Sequence, residues 1–170
     1  MASLMEDLLE VLQEEDRQYQ QLIGLAQRKT DALVASEIVT IQEIAEEEQA
    51  VVEVIQRCEK KCDEVIKDMG IVLGRDTQSL TVSELIDMLE KQPKEQEQLR
   101  KVYEELGQTA KKMKACNDKN RMLVEQALEL VEFDLTLFRS LRTAPETANY
   151  SKDATSASQP KGVGRFDQKQ

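Results

Sequence analysis

The residue types that most often carry chemistry are sparse in this chain of 170 residues. It contains no histidine, which is the commonest general base and the commonest metal ligand in proteins. Its three cysteines, Cys58, Cys62 and Cys116, are odd in number, which favours reduced thiols over a disulfide framework. The sequence therefore predicts no catalytic site, no bound metal and no cofactor, and it indicates a binding protein, not an enzyme.

Two clusters have part of the spacing that a metal site needs. Cys58 and Cys62 lie one helical turn apart, but no second pair of ligands accompanies them. The run Glu46, Glu47 and Glu48 lacks the Glu-x-x-His pairs of a di-metal helical bundle. We therefore interpret the two cysteines as small core side chains and the glutamates as part of a solvated face.

The charge balance excludes several classes of partner. The formal net charge of -10 repels phosphate backbones and anionic lipid surfaces. No apolar run approaches the roughly 20 residues of a membrane-spanning helix. The first twelve residues also lack the basic segment of an export signal. We therefore expect a cytoplasmic protein that binds no nucleic acid and does not insert into a membrane.

Apolar residues recur every three or four positions over most of the chain, which predicts long amphipathic helices. The first helix should run from Leu4 to Val34 and the second from Ile38 to Met69. No proline or glycine separates them, so one continuous helix remains open, but a turn near Ser36 is favoured. A short helix should follow Thr81, and the longest pattern begins at Pro93. The glycines Gly70 and Gly74 are predicted to stop the second helix, and Ser3 and Thr81 to cap helices three residues before a glutamate.

These elements predict an all-α fold, namely an elongated antiparallel helical bundle or coiled coil of two to three long helices and one short helix. Charged residues make up 33% of the chain and aromatic residues only 4%, which suits long exposed helices. The periodicity disappears after Thr143, where small and polar residues dominate. We therefore expect a helical domain over residues 1–143 and a disordered C-terminal tail over residues 144–170.

The last helix carries more apolar residues than one buried face needs. From Leu123 to Leu141 they lie on more than one side of the helix, so one face can pack internally while another binds a partner. The alternative, that all of them form the core of an antiparallel bundle, remains open. Asn117 and Asn120 lie on or near the seam of this helix, where an amide must find a hydrogen-bond partner and can specify register.

Two blocks of the sequence resemble the FlgN family of flagellar type III export chaperones. The first block consists of Leu12, Tyr19, Leu22, Leu25, Lys29, Leu33, Glu37, Ile41, Ile44, Glu48 and Gln49. The second block consists of Asn117, Asn120, Leu123, Val124, Leu128, Val131, Phe133 and Leu137. The chain departs from the family pattern at Cys58 and Cys62, where an aliphatic residue and a basic residue are more usual.

The resemblance implies a cytoplasmic chaperone that binds the C-terminal helical region of the hook-associated proteins FlgK and FlgL. It would prevent their premature assembly and deliver them to the flagellar type III export apparatus. The resemblance also implies docking on the export gate protein FlhA through Tyr150. It places the client-binding residues on the last helix, at Asn120, Leu123, Val124, Leu128, Val131, Leu135 and Phe138.

Two other functions fit the same helices. A structural coiled-coil adaptor needs only the apolar seams and no client site. A chaperone of a virulence type III secretion substrate is also small, acidic and helical. Helical seams can close within one chain or between two, so the free protein could be a monomer or a homodimer.

Overall fold

The computed structural model describes residues 2–74 and 80–143. Regular structure within these residues is entirely helical: α1 spans Ala2–Ala35, α2 Ile38–Val72, α3 Val82–Met88 and α4 Pro93–Thr143. A 3-10 turn at Leu89–Lys91 joins α3 to α4. The predicted all-α class, with long helices and one short helix, is confirmed. The predicted tail, residues 144–170, lies outside the described residues.

A tight turn separates α1 from α2, as the sequence predicted. Ser36 adopts a left-handed backbone conformation with φ of 57°. The Ser36 N–H donates to the Leu33 carbonyl at 3.2 Å, and the Glu37 N–H donates to the Ala32 carbonyl at 2.9 Å. These two bonds form a Schellman motif, which satisfies carbonyls at the end of α1 and reverses the chain.

The helices α1 and α2 pack against each other as an antiparallel hairpin. Near the turn, Arg28 bonds Glu47 at 3.1 Å, and the neighbouring Lys29 bonds Glu48. At the other end, Met5 of α1 shares a buried cluster with Met69 of α2. Contacts between early residues of α1 and late residues of α2 require the two helices to run in opposite directions.

The buried apolar residues form two clusters along the hairpin. The larger cluster joins the open end of the hairpin to α3, the 3-10 turn and the first part of α4: Met5, Leu8, Val11, Leu12, Cys58, Cys62, Val65, Ile66, Met69, Leu85, Ile86, Leu89, Leu99 and Leu106. The smaller cluster lies nearer the turn: Leu22, Leu25, Ala32, Ile44 and Ile55. The helical periodicity of the sequence therefore corresponds to a buried stripe on each helix.

The two cysteines of α2 are core residues, which confirms their interpretation from the sequence. Cys58 and Cys62 are free and buried in the larger cluster. Burial raises the pKa of the Cys62 thiol to about 11, so it stays protonated at neutral pH. A protonated thiol inside an apolar cluster behaves as a small hydrophobic side chain.

The structure corrects two of the predicted helix boundaries. Gly70 does not stop α2, since it is buried within the helix, which continues to Val72. The helix ends instead before Gly74, which has a φ of 66° that glycine adopts without strain. Ser3 is not an N-cap, because it already lies inside α1. Burial of the nearby Leu8 in the larger cluster supports this end of α1 through packing.

The capping box at the start of α3 is confirmed. The Glu84 N–H donates to the Thr81 hydroxyl oxygen at 3.3 Å, and the Thr81 N–H donates to the Glu84 carboxylate at 2.8 Å. These bonds satisfy two backbone donors that the first turn of a helix leaves without a partner. Pro93 opens α4, also as predicted, because its fixed φ suits the first helical position.

The chain divides into two compact units. Residues 1–126 form the first unit, which contains both buried clusters. Residues 127–170 form the second unit, of which the structure describes the end of α4, residues 127–143. Stability in the described structure therefore comes from the first unit.

Two leucines of α4 test this division. Leu99 is fully buried in the larger cluster, whereas Leu130 is 62% exposed. We expect Leu99→Ala to lower the free energy of unfolding by about 2–5 kcal/mol, because it leaves a cavity. Leu130→Ala should change it by less than about 0.5 kcal/mol. Urea denaturation followed by circular dichroism measures both, and equal losses for the two variants would contradict the division.

A carboxylate is buried between α1 and α2. Glu15 is 8% exposed, and burial raises its pKa, as does the nearby charge of Glu59, while a hydrogen bond from Tyr19 partly offsets these effects. The folded chain therefore binds this proton more tightly than the unfolded chain, whose carboxyl has the ordinary pKa of 4.5. Stability from this group is present at low pH and falls as the pH rises through the folded pKa.

We expect Glu15→Gln to stabilise the protein at neutral pH, because the amide is uncharged and can still accept a hydrogen bond from Tyr19. Its neighbour Glu14 is the control, since a hydrogen bond from Arg17 lowers the pKa of that carboxyl. Glu14→Gln should not stabilise the protein at neutral pH. Urea denaturation between about pH 4 and 7 measures both effects. A Glu15→Gln variant no more stable than the parent at neutral pH would contradict the assignment.

Candidate partner-binding surface

The burial of the α4 side chains changes along the length of the helix. In its first half Leu99 and Leu106 are buried in the larger cluster. Asn120 is its last buried residue, Leu123 is half-buried, and every residue from Val124 to Thr143 is exposed. The helical pattern thus continues for several turns after burial has ended.

Within the second unit, the exposed apolar residues of α4 form two stripes. The first stripe consists of Leu128, Val131, Leu135 and Phe138, which are 49–66% exposed. The second stripe consists of Leu130, Phe133, Leu137 and Leu141, which are 48–66% exposed. Successive members of each stripe are three or four residues apart, so each stripe lies along one side of the helix.

All eight residues of the two stripes are exposed in the described structure. Core residues of a bundle within one chain would be buried, so this exposure favours the partner-binding interpretation. Polar side chains occupy a third side of the helix, where Glu129, Glu132 and Thr136 follow one another. A helix that binds a partner helix exposes an apolar stripe whose residues are three or four positions apart.

Asn120 joins α4 to α1 inside the first unit. Its side-chain N–H donates to the Ala26 carbonyl at 2.7 Å. The Thr30 hydroxyl lies 2.5 Å from the Asn120 amide oxygen and 3.0 Å from the Ala26 carbonyl, and it can donate to either. A buried amide with only one well-placed set of partners fixes the register between two helices. Asn120 therefore positions α4 and is not part of its open surface.

The other seam residue, Asn117, has a different environment. It is exposed, and its side-chain N–H lies 3.0 Å from the sulfur of Met113 on the preceding turn of α4. The sequence placed both asparagines on or near the seam, but it could not show which of them meets α1.

An open groove lies beside Asn120 within the first unit. Leu33, Ile41, Ala45 and Val124 supply its apolar lining. The Lys29 and Glu48 side chains, which form an ion pair, stand at its rim. The groove thus brings together all three long helices of this unit, and it includes two of the client-binding candidates, Asn120 and Val124.

Four residues that carried the family resemblance lie at helix contacts. Tyr19 packs against both buried clusters, Lys29 pairs with Glu48 across the hairpin, and Asn120 bonds the backbone of α1. Their order along the sequence therefore reflects how α1, α2 and α4 fit together.

A second exposed apolar group, which the sequence did not predict, lies at the turn between α1 and α2. Val34, Ile38 and Val39 are each at least 68% exposed. The signal was present in the sequence, because Ile38 and Val39 are adjacent and cannot both lie on one buried helical stripe.

Across residues 2–74 and 80–143, no three histidine, cysteine or acidic side chains are placed to hold a metal ion. None of the helices described for this chain is long and apolar enough to cross a membrane. Tyr150, the predicted contact with the export gate, lies beyond the described part of the chain.

The sequence of this chain is similar to that of a known protein family over most of its length. The family model described as FlgN protein matches residues 1–158. The chain is also 29% identical over 134 residues to the uncharacterized protein YvyG of Bacillus subtilis (strain 168), covering 79% of this chain and 78% of that protein. No solved structure shows a significant match to the chain.

The two asparagines form a matched pair for testing the register contact. We expect Asn120→Ala to lower the free energy of unfolding by about 1–3 kcal/mol, because the Ala26 carbonyl and Thr30 lose a buried partner. Asn117→Ala removes an exposed amide and should change it by less than about 0.5 kcal/mol. Urea denaturation measures both, and equal effects would show that the Asn120 contact contributes nothing specific.

Proposed function

Because the chain belongs to the FlgN protein family of flagellar export chaperones, we propose that it binds the C-terminal helical region of FlgK and FlgL. It keeps these hook-associated proteins unassembled in the cytoplasm and delivers them to the flagellar type III export apparatus. The observation that carries the proposal is the end of α4, where apolar residues at helical spacing are exposed throughout. The family consists of chaperones, so the proposed activity is binding, without a chemical step.

The physical mechanism is the burial of one apolar stripe by another. A client helix that is destined to polymerise carries an apolar stripe, which associates with other copies whenever it is exposed. When that stripe lies along α4, both surfaces leave water together and the client cannot pair with a second client. Binding and prevention of assembly are therefore the same event.

The first stripe is the proposed client contact. Leu128, Val131, Leu135 and Phe138 cover several turns of one side of α4, which matches the length of a helical segment. Leu123 and Val124 are proposed as further contacts toward the N-terminal side. Asn120, which the resemblance also assigned to the client, contributes by fixing α4 against α1.

The helical conformation of α4 favours binding, because association must offset the cost of ordering the two partners. The stripe belongs to a continuous helix in the free protein, so less ordering is required of α4 on binding.

The second stripe offers a surface for another copy of the chain. Because this stripe uses Leu130, Phe133, Leu137 and Leu141, a homodimer and a client complex need not compete for the same side chains.

Residues 1–143 form the proposed chaperone domain, and residues 144–170 form the proposed tail. Tyr150 of that tail is the proposed contact with the export gate protein FlhA.

Substitutions on the two stripes test the client assignment. We expect the double variant Leu128→Asp with Val131→Asp to abolish binding of the C-terminal segments of FlgK and FlgL, because it places charge in the buried contact. Its helicity and its resistance to urea should stay near those of the parent, since both residues are exposed. Isothermal titration calorimetry with each client segment measures the affinity.

The matched control is the double variant Leu130→Asp with Leu137→Asp on the second stripe. It makes the same chemical change on the same helix, and it should retain client binding. Client binding by the first-stripe variant would contradict the assignment of the first stripe as the client contact. An equal loss of client affinity in both variants would contradict it as well. Unfolding of the first-stripe variant would place Leu128 and Val131 in the core instead.

A further inference from the structure

The turn between α1 and α2 carries an apolar surface that neither buried cluster uses. Val34 is 73% exposed, and Ile38 and Val39 are both 68% exposed. Leu33 and Ile41 beside them are half-buried and line the groove of the first unit, and Ile41 packs against the smaller cluster. We refer to the three exposed residues, Val34, Ile38 and Val39, as the turn surface.

The local fold does not explain why these positions are apolar. The turn itself is held by backbone hydrogen bonds from Ser36 and Glu37, which need no apolar side chain nearby. β-Branched residues such as Ile38 and Val39 gain nothing at an exposed helix start, where their helix propensity is below average. Glu37, at the N-cap of α2, makes no side-chain capping bond either.

The surroundings of the turn surface are strongly acidic. Between Thr30 and Gln56 the sequence contains no lysine and no arginine. It contains seven acidic residues there: Asp31, Glu37, Glu43, Glu46, Glu47, Glu48 and Glu53. Arg28 and Lys29 neutralise only Glu47 and Glu48, across the hairpin.

The remaining acidic side chains around the turn surface are open to solvent. Asp31, Glu37, Glu43 and Glu46 are exposed. None of these four forms an ion pair with another residue of the described chain. Their mutual repulsion is relieved when positive charge approaches, so the acidic rim selects the charge of whatever covers the apolar residues.

We propose that the turn surface binds a positively charged amphipathic helix of a partner protein. The apolar side of that helix covers Val34, Ile38 and Val39, and its flanking lysine and arginine side chains meet the acidic rim. Nucleic acids and anionic lipid surfaces are repelled by the same rim. This proposal does not depend on the client assignment, because it concerns different residues in the first unit.

The two proposed surfaces of the chain differ in charge. Around the first stripe of α4, Glu129 and Glu132 are accompanied by Arg139 and Arg142, so the charges there are mixed. Around the turn surface acidic residues predominate, with six of them between positions 28 and 48 against the two basic residues Arg28 and Lys29. A cationic helix therefore gains electrostatic attraction at the turn surface that the mixed charges near the first stripe do not provide.

The test uses the full-length chain labelled with ¹⁵N and a synthetic leucine–lysine peptide of about 15 residues, which forms an amphipathic helix. We expect saturable shifts of backbone amide signals in residues 31–48, with weaker binding as salt is added. A peptide with glutamate in place of lysine should leave these signals unchanged. Absence of saturable shifts in residues 31–48, or equal shifts with the glutamate peptide, would overturn the proposal.

Two double variants locate the binding on the apolar side chains. Ile38→Ser with Val39→Ser should weaken binding of the lysine peptide by roughly tenfold or more, without loss of stability, because both residues are exposed. Ile71→Ser with Val72→Ser is the matched control at the other end of α2, where both residues are also exposed. Equal affinities for the two variants would overturn the proposal.

The first-stripe variant Leu128→Asp with Val131→Asp separates this proposal from the client assignment. It should keep the shifts of residues 31–48 at unchanged affinity, even though it no longer binds the client segments. If this variant no longer binds the lysine peptide, the peptide was bound by α4 and the turn surface is not a separate site. A chain that binds the lysine peptide but neither client segment would instead count against the client assignment alone.

Discussion

The hydrogen bonds of Asn120 to the Ala26 carbonyl and the Thr30 hydroxyl of α1 fix where α4 lies along the hairpin. The amide is buried, and among the described residues its partners are the Ala26 carbonyl and the Thr30 hydroxyl. A shift of one helical turn would remove both bonds and leave polar groups buried without partners, at a cost of about 1–3 kcal/mol for each. Asn120 is also the last buried residue of α4. The same contact therefore sets the register of the first unit and the point from which the apolar residues of α4 are exposed.

The sequence predicted the fold well wherever one local pattern determines the structure. The three-and-four spacing of apolar residues predicted the long helices, and Thr81 with Glu84 predicted the start of α3. The same local rules failed at Ser3 and Gly70, where burial of neighbouring residues carries the helix through a signal that would otherwise end it. Tertiary packing outweighed local propensity at both positions.

The sequence could not predict which apolar stripes would be buried. A stripe that packs within the chain and a stripe that binds a partner have the same spacing, so Leu99 and Leu128 look alike until the structure places them. Asn117 and Asn120 posed the same problem, because only a contact with α1 distinguishes them. The sequence did not predict the turn surface as a binding surface, because that interpretation depends on the charges around it. Those charges are brought together by the folding of the hairpin.

Hydrogen exchange in the full-length chain tests the central claim most directly, namely that the exposed end of α4 receives a client helix. Amide exchange is measured by mass spectrometry for the free chain and for the chain saturated with the C-terminal segment of FlgL. The account predicts stronger protection of residues 127–141 on binding, because a partner that covers this part of α4 must leave before its amide hydrogen bonds can open. Protection confined to α1 and α2, with no change in residues 127–141, would contradict it.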